Sequence, residues 1–261
     1  MTKLHLHDSV GTGPIRIILL HGLFGDGLNL RGLASLLQNA SCYSLDLLNH
    51  GKSPLRENSS LEQYAQDIYE TTMHLLPAVF IGHSLGAKYT MLFANQYPDS
   101  CQAVISLDMI NRTYPLDFKK NIFQSLKLLG TPLPSRQIAD DLLTPTIPDK
   151  KLRSFLIKNL TYQETIKAYT LRISLSALEH DHRQLVTELP INKIQVPSLY
   201  LMGSRGYKQN DDGRYLEKYH HNAEYQTIDN AGHWLHGDNP DQTAKQIQRF
   251  IDSSIITPKG R

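Results

Sequence analysis

The chain has 261 residues, 40% of them hydrophobic, and a formal charge of +2. That length is near the upper size for one core and suits a single α/β domain carrying an insertion better than two equal domains. A near-balanced charge without a basic stripe or acidic tail argues against nucleic acid or a polyanion as partner and leaves a small molecule as the expected ligand.

The N-terminal residues lack the apolar core of a signal peptide, and no stretch approaches the roughly twenty apolar residues of a membrane span, so a cytoplasmic protein with no membrane span is expected. A short strand is predicted over residues 3–7, where the alternating Leu4 and Leu6 suit an edge position. Residues 15–21 form a nearly continuous aliphatic run, as in a central parallel strand covered on both faces. It ends in the turn His21-Gly22-Leu23-Phe24-Gly25, and a helix is predicted over residues 29–37, where Leu30, Leu33, Ala34 and Leu37 recur at helical spacing. A strand over 41–46 leads into the turn Asp46 to Ser53. Ser59 and Glu62 then read as a capping box for a helix with the stripe Leu61, Tyr64, Ala65, Ile68, Thr72 and Leu75.

The most informative stretch follows. Val79, Phe80 and Ile81 read as a strand, Tyr89, Met91, Leu92 and Phe93 populate a helix, and between them lies Gly82-His83-Ser84-Leu85-Gly86. Small residues two before and two after the serine let strand and helix approach closely and push the hydroxyl outward. The positive end of the following helix favours the negative charge that develops when Ser84 attacks a carbonyl.

A strand over 102–108 completes four strand-plus-helix alternations, which argue for a parallel sheet. From 111 to 190 the pattern is helical, broken by Pro132, Pro134, Pro145 and Pro148, with no convincing strand; it reads as a helical cap inserted into a core made of residues 1–110 and 191–261. The sheet resumes at 196–202, followed by a helix over 214–220, a last strand over 224–228 and a helix from Pro240 to about Ser253, with Asn239 as N-cap and Gln242 at the reciprocal position. Cys42 and Cys101 fall in or beside predicted strands, where a buried thiol is ordinary.

Serine is a weak nucleophile at neutral pH and needs an imidazole to take its proton and return it to the leaving group. His233, in the loop Asp229 to His236 after the last strand, arrives where such a base belongs in the order Ser, Asp, His; His236 lies closer to the terminal helix. Other histidines invite a metal reading. His5 and His7 share a strand face and His180 and His182 flank Asp181, but neither pair has further ligands at a recognisable spacing, so no metal ion is expected. His21, His50, His83 and Asp46 read as turn-stabilising.

The motifs His21 to Gly25, Asp46 to Ser53, Gly82 to Gly86 and Gly232-His233-Trp234-Leu235-His236 together resemble the α/β-hydrolase superfamily over essentially the whole chain, and within it the YbfF-type bacterial esterases. Ala87 stands where that group usually has a second glycine before the lysine, here Lys88. The resemblance implies a mostly parallel central sheet flanked by helices, with an inserted helical cap, and no cofactor.

It also frames the search for the carboxylate. In most of the superfamily the acid lies about three residues beyond a glycine like Gly203, and here that position is Gly206; Asp211 and Asp212 come later. Asp108, ending the strand one beyond the nucleophile strand, is the alternative, and the YbfF-type esterases resemble that arrangement. The expected oxyanion donors are the backbone N–H groups of Leu85, after the nucleophile, and Leu23, after the central strand.

The expected activity is therefore a serine hydrolase of carboxylic esters with short to medium acyl chains, with acyl-coenzyme A thioesters as a second class. A carbon–carbon hydrolase, a lactonase and a slow-turnover ligand-binding protein use the same fold. Tyr114, Phe118, Phe123 and Phe155 are candidates for an acyl pocket, and Lys119, Lys120, Lys150, Lys151 and Arg153 for contacts with coenzyme A phosphates, although core aromatics and solvated charges are the commoner outcome. Oligomeric state is not legible.

Overall fold

The computed structural model describes residues 3–115 and 119–256; Phe118 therefore lies outside the described residues. In chain order the elements are β1 (His5–Leu6), β2 (Ile15–Leu20), α1 (Arg31–Ala34), β3 (Ala40–Asp46), α2 (Leu61–Thr72), β4 (Ala78–His83), α3 (Leu85–Gln96), β5 (Cys101–Leu107), α4 (Lys120–Lys127), α5 (Arg136–Leu143), α6 (Lys150–Ile157), β6 (Leu160–Gln163), β7 (Ala168–Leu171), α7 (Leu175–Leu185), β8 (Ser198–Gly203), α8 (Asp212–Tyr219), β9 (Ala223–Ile228), α9 (Leu235–Asp238) and α10 (Pro240–Ile251).

Seven strands form one sheet in the order β1-β3-β2-β4-β5-β8-β9. Only β1 runs antiparallel to its neighbour, at the edge where Leu4 and Leu6 place it. The aliphatic runs of β4 and β8 are buried at every position, as a strand covered on both faces requires. Alternate residues serve the two faces: Ile18, Phe80, Val104 and Tyr200 join α2 and α3, while Ile17, Val79, Ile105 and Leu199 join α1 and α10. This is the α/β-hydrolase fold.

Three local expectations change. The helix predicted over 29–37 is a 3₁₀ turn, Gly27–Leu30, capped by Asp26, and then the single turn α1. Its apolar residues Leu30, Leu33, Ala34 and Leu37 are all buried, so the periodicity reported burial rather than one continuous helix. The capping box of α2 is one residue further on: Ser60 Oγ accepts from Gln63 N, and Gln63 Oε1 accepts from Ser60 N at 2.9 Å. The Ser59 hydroxyl instead accepts from Arg56 Nε at 2.9 Å. Third, the stretch read as lacking a strand contains the antiparallel hairpin β6–β7, with Leu160 opposite Leu171.

Between β5 and β8 the chain leaves the sheet, and α4 to α7 with the hairpin lie over the ends of the central strands. Side chains tie this segment down: Asn159 Nδ2 donates to Phe24 O at 2.8 Å, Arg172 pairs with Asp26 at 2.6 Å, and Asn49 Nδ2 donates to Asp181 Oδ2 at 3.0 Å. Its two connections to the core converge on Lys88 of α3. The fully buried ammonium donates to Arg112 O at 3.0 Å, Thr187 O at 2.9 Å and Asn111 Oδ1 at 3.2 Å.

Candidate active site

Ser84 occupies the turn between β4 and α3 with φ 53° and ψ −118°, a conformation that side-chain-bearing residues rarely adopt and that here aims the hydroxyl away from both elements. The neighbouring glycines make the turn possible. A Cβ on Gly82 would sit 2.3 Å from Gly86 O, and one on Gly86 would sit 2.2 Å from Leu20 O, so neither position has room for any side chain. Ser84 N donates to Leu107 O at 3.0 Å, which fixes the turn against the next strand.

Two further side chains converge on the hydroxyl. His233 Nε2 lies 3.0 Å from Ser84 Oγ, and His233 Nδ1 lies 2.8 Å from Asp108 Oδ2. Asp108 follows β5 with φ 54° and is fully buried. Its Oδ1 accepts from Gly203 N at 2.9 Å and its Oδ2 from Tyr207 N at 3.1 Å. These bonds hold the carboxylate edge toward the imidazole. The residue missing from the usual acid position has a steric role: a Cβ on Gly206 would lie 2.2 Å from Asp108 Oδ1. The space left by Gly206 is where the Asp108 carboxylate sits.

The other acids are engaged elsewhere. Asp212 accepts from Gln209 N at 2.9 Å and from the Tyr225 hydroxyl at 3.1 Å and faces Arg112 at 3.6 Å, while Asp211 is exposed at the start of α8. Arg112 in turn donates to Tyr207 O, so this ion pair braces the loop whose amide binds Asp108.

Three neutral histidines frame the site. His21 Nδ1 donates to Gly22 O at 2.8 Å while its Nε2 accepts from Leu47 N at 3.0 Å, and His50 Nδ1 donates to Leu48 O at 2.9 Å while its Nε2 accepts from Phe24 N at 3.1 Å. Each therefore uses one donor and one acceptor, as a neutral imidazole must. Burial pushes the His50 pKa down to about 3 and lowers that of His21. Together they hold the turn that presents Leu23. His83 Nε2 donates to His233 O at 2.8 Å and its ring lies 4.5 Å from that of His236, so it supports the loop carrying His233.

Burial also lowers the pKa of His233; its bond to Asp108 acts in the opposite direction, and the Lys119 charge lowers it further. The Tyr207 ring lies against His233 at 4.0 Å between centroids, a contact with no signal in the sequence.

Leu23 and Leu85 both line the space at Ser84, and neither backbone N–H donates to any other group of the described chain. Ser84 stands between two small lobes of about 50 and about 30 Å³. The first includes Phe24, Phe155 and Trp234; the second includes Met109, Tyr114 and Val186. A larger, open groove of about 840 Å³ along α10, lined by residues such as Gln38 and Arg249, contains none of these groups.

Of the aromatic candidates, Tyr114 and Phe155 line the lobes, whereas Phe123 is buried against Phe24 with ring centroids 5.0 Å apart. Among the basic candidates only Lys119 lines the cleft. Lys151 pairs with Asp238 at 3.1 Å, Arg153 with Asp140 at 2.8 Å, and Lys120 and Lys150 are exposed. As for metal ligands, His180 is exposed while His182 is buried. His5 and His7 gain a neighbour in Asp46, their ligand atoms lying within 4.8 Å of one another. The Asp46 oxygens already accept from Gly27 N at 2.7 Å and Lys52 N at 2.7 Å and bond His7 Nε2 at 2.8 Å, which commits them to the turn.

Fold and site define the class, and the model of the alpha/beta hydrolase family matches residues 17–246, so the chain belongs to that family. Among curated proteins it is similar to the sn-1-specific diacylglycerol lipase ABHD11 of Mus musculus, with 30% identity over 261 residues, covering 95% of this chain and 84% of that one. It is also similar to esterase YbfF of Escherichia coli (strain K12), with 26% identity over 241 residues, 90% of this chain and 92% of that one. Among solved structures, a marine microorganism esterase superposes with a TM-score of 0.90 at 28% identity, covering 96% of this chain and all of the other. The chain is an esterase-type hydrolase resembling bacterial esterases. No helix among the described residues is long and apolar enough to cross a membrane.

Proposed function

We propose that the chain is a serine carboxylesterase working through an acyl-enzyme on Ser84. The observation that carries this reading is the unbroken relay from Ser84 Oγ to His233 Nε2 at 3.0 Å and from His233 Nδ1 to Asp108 at 2.8 Å. His233 removes the hydroxyl proton as Ser84 attacks the acyl carbon, and the developing oxyanion takes the amides of Leu23 and Leu85. Each such donor is worth about 3 kcal/mol of transition-state stabilisation. Imidazolium then protonates the leaving alcohol, and water activated by the same imidazole attacks the acyl-enzyme and releases the acid. Asp108 holds the Nδ1–H tautomer and stabilises the imidazolium without taking its proton.

The elements between β5 and β8 act as a cap that encloses the cleft and sets the acyl group it takes. Lobes of about 50 and 30 Å³ favour short acyl chains, and thioesters of the same acyl groups are a second substrate class because the chemistry at Ser84 is common to both. The test is hydrolysis of p-nitrophenyl acetate and butyrate by the wild type and Ser84→Ala. Sustained turnover reduced roughly a millionfold in the mutant is expected; unchanged turnover in Ser84→Ala, or saturable binding without turnover by the wild type, contradicts the reading.

A further inference from the structure

Ser84 borders both lobes of the cleft, but His233 borders the first and not the second. The imidazole that returns a proton to the leaving oxygen has to lie beside that oxygen. The first lobe is therefore the alcohol side of the ester. The second, about 30 Å³ lined by residues such as Leu85, Met109, Leu185 and Val186, is left for the acyl chain.

Only the alcohol side has room beyond it. An open groove of about 460 Å³ adjoins the first lobe, and Asn29, Phe155, Trp234 and His236 border both spaces. Its walls come from three helices: Gly32 and Leu33 of α1, Ser154 and Phe155 of α6, and Gly237 of α9. The shared boundary carries no charge at pH 7. Phe155 and Trp234, both half-buried, pack with ring centroids 5.5 Å apart, Asn29 spends its amide oxygen on Asp26 N at 2.8 Å, and burial pushes the His236 pKa down to about 4. The groove's lysines, Lys151 and Lys158, are exposed, and Lys151 pairs with Asp238 at 3.1 Å. Two glycines keep the groove open: a Cβ on Gly32 or on Gly237 would meet no described atom of another element within 4 Å. Partly exposed aromatic faces beside such a space gain from covering by another ring, in offset or edge-to-face contact.

We propose that the groove between α1, α6 and α9 binds the alcohol part of the substrate, so that the protein selects esters of short acids with a large, uncharged alcohol ending in an aromatic ring. The inference rests on the reading of Ser84 as nucleophile and names the substrate class of that site. The alcohol chain leaves Ser84 past His233, and its ring lies on the Phe155–Trp234 pair. The reaction is unchanged: the acyl–oxygen bond breaks, His233 gives its proton to the leaving oxygen, and water supplies the hydroxyl of the short acid.

3-Phenylpropyl acetate and methyl 4-phenylbutanoate are isomers that carry the same phenylpropyl group on opposite sides of the ester, and propyl acetate lacks the ring. Hydrolysis of each, followed by NMR, gives ratios of kcat/KM that are independent of the fraction of enzyme folded. The wild type is expected to favour 3-phenylpropyl acetate over its isomer and over propyl acetate, each by about tenfold or more. Gly32→Leu and Gly237→Leu, which fill the groove from two different helices, and Trp234→Ala are expected to lose most of the preference over propyl acetate. A wild type that treats the isomers alike or favours methyl 4-phenylbutanoate overturns the inference, as does a preference over propyl acetate that is absent from the wild type or unchanged in all three variants. Turnover of p-nitrophenyl acetate that depends on Ser84 but none of 3-phenylpropyl acetate overturns it alone. Failure to turn over any ester overturns the reading of Ser84 with it.

Discussion

The two sides of the cleft are built differently. On the sheet side the groups of the candidate site are placed by the main chain: Ser84, Asp108 and Phe24, the last in the turn with Leu23, all have positive φ, and Gly82, Gly86 and Gly206 lie where a Cβ would collide with a neighbouring backbone or carboxylate. On the side formed by the segment between β5 and β8, position depends on side-chain ties such as Asn159 to Phe24 O and Lys88 to Thr187 O. A backbone constraint admits one geometry; a side-chain tie can be remade by another residue. On the proposed function, chemistry belongs to the first side and selectivity to the second, and substitutions on the two sides should have different signatures.

The sharpest case on the sheet side is Asp108→Asn. The amide keeps the shape but cannot hold His233 in the required tautomer, so kcat is expected to fall by about four orders of magnitude; because both carboxylate oxygens accept backbone N–H groups, the amide nitrogen also leaves one of those donors unpaired, an expected loss of about 1–3 kcal/mol in stability. Near-wild-type kcat would remove Asp108 from the mechanism. Next is Gly206→Ala, where the added methyl must displace the Asp108 carboxylate from the space it occupies. A misplacement of about 1 Å at a reacting group costs roughly a hundredfold in rate. Retention of full activity would show that the Asp108 site is more pliable than the backbone account allows.

On the other side, Lys88→Met leaves the buried carbonyl of Arg112 and the partly buried carbonyl of Thr187 without this donor, an expected loss of about 1–3 kcal/mol in urea unfolding. The comparison predicts that this loss appears in stability and in substrate preference before it appears in labelling of Ser84. The smallest effect is in pH dependence. Because burial lowers the His233 pKa, kcat/KM should rise with pH through a midpoint below 6.5, the base being active when unprotonated. Lys119→Met removes a positive charge that lowers it further, so the midpoint should move upward.

The legible parts of the sequence were those where a backbone constraint leaves a residue signature. Gly82 and Gly86 are required by contacts of 2.3 and 2.2 Å, and such contacts write glycine into the chain whatever surrounds them. Asp108 was harder, because an aspartate closing a strand has many uses; it was singled out by the lack of an acid at position 206, by its place at the end of the strand beside the Ser84 turn and by the resemblance to YbfF-type esterases, and Gly206 leaves the space in which its carboxylate sits. The hairpin β6–β7 went unread since its strands span only 160–163 and 168–171, too few residues for alternation to register, and they carry Thr161, Tyr162, Tyr169 and Thr170 in place of an aliphatic run. Lys119 was indistinguishable from Lys120 in sequence: one lines the cleft and the other faces solvent, and only the placement of α4 separates them.

The central claim is that Ser84 is the activated nucleophile, and covalent labelling tests it most directly. Intact-mass measurement after treatment with a fluorophosphonate should show a single adduct on the wild type, located on the peptide containing Ser84, absent from Ser84→Ala and strongly slowed in His233→Ala. An adduct that persists in Ser84→Ala, or a wild type that acquires none, would contradict the account.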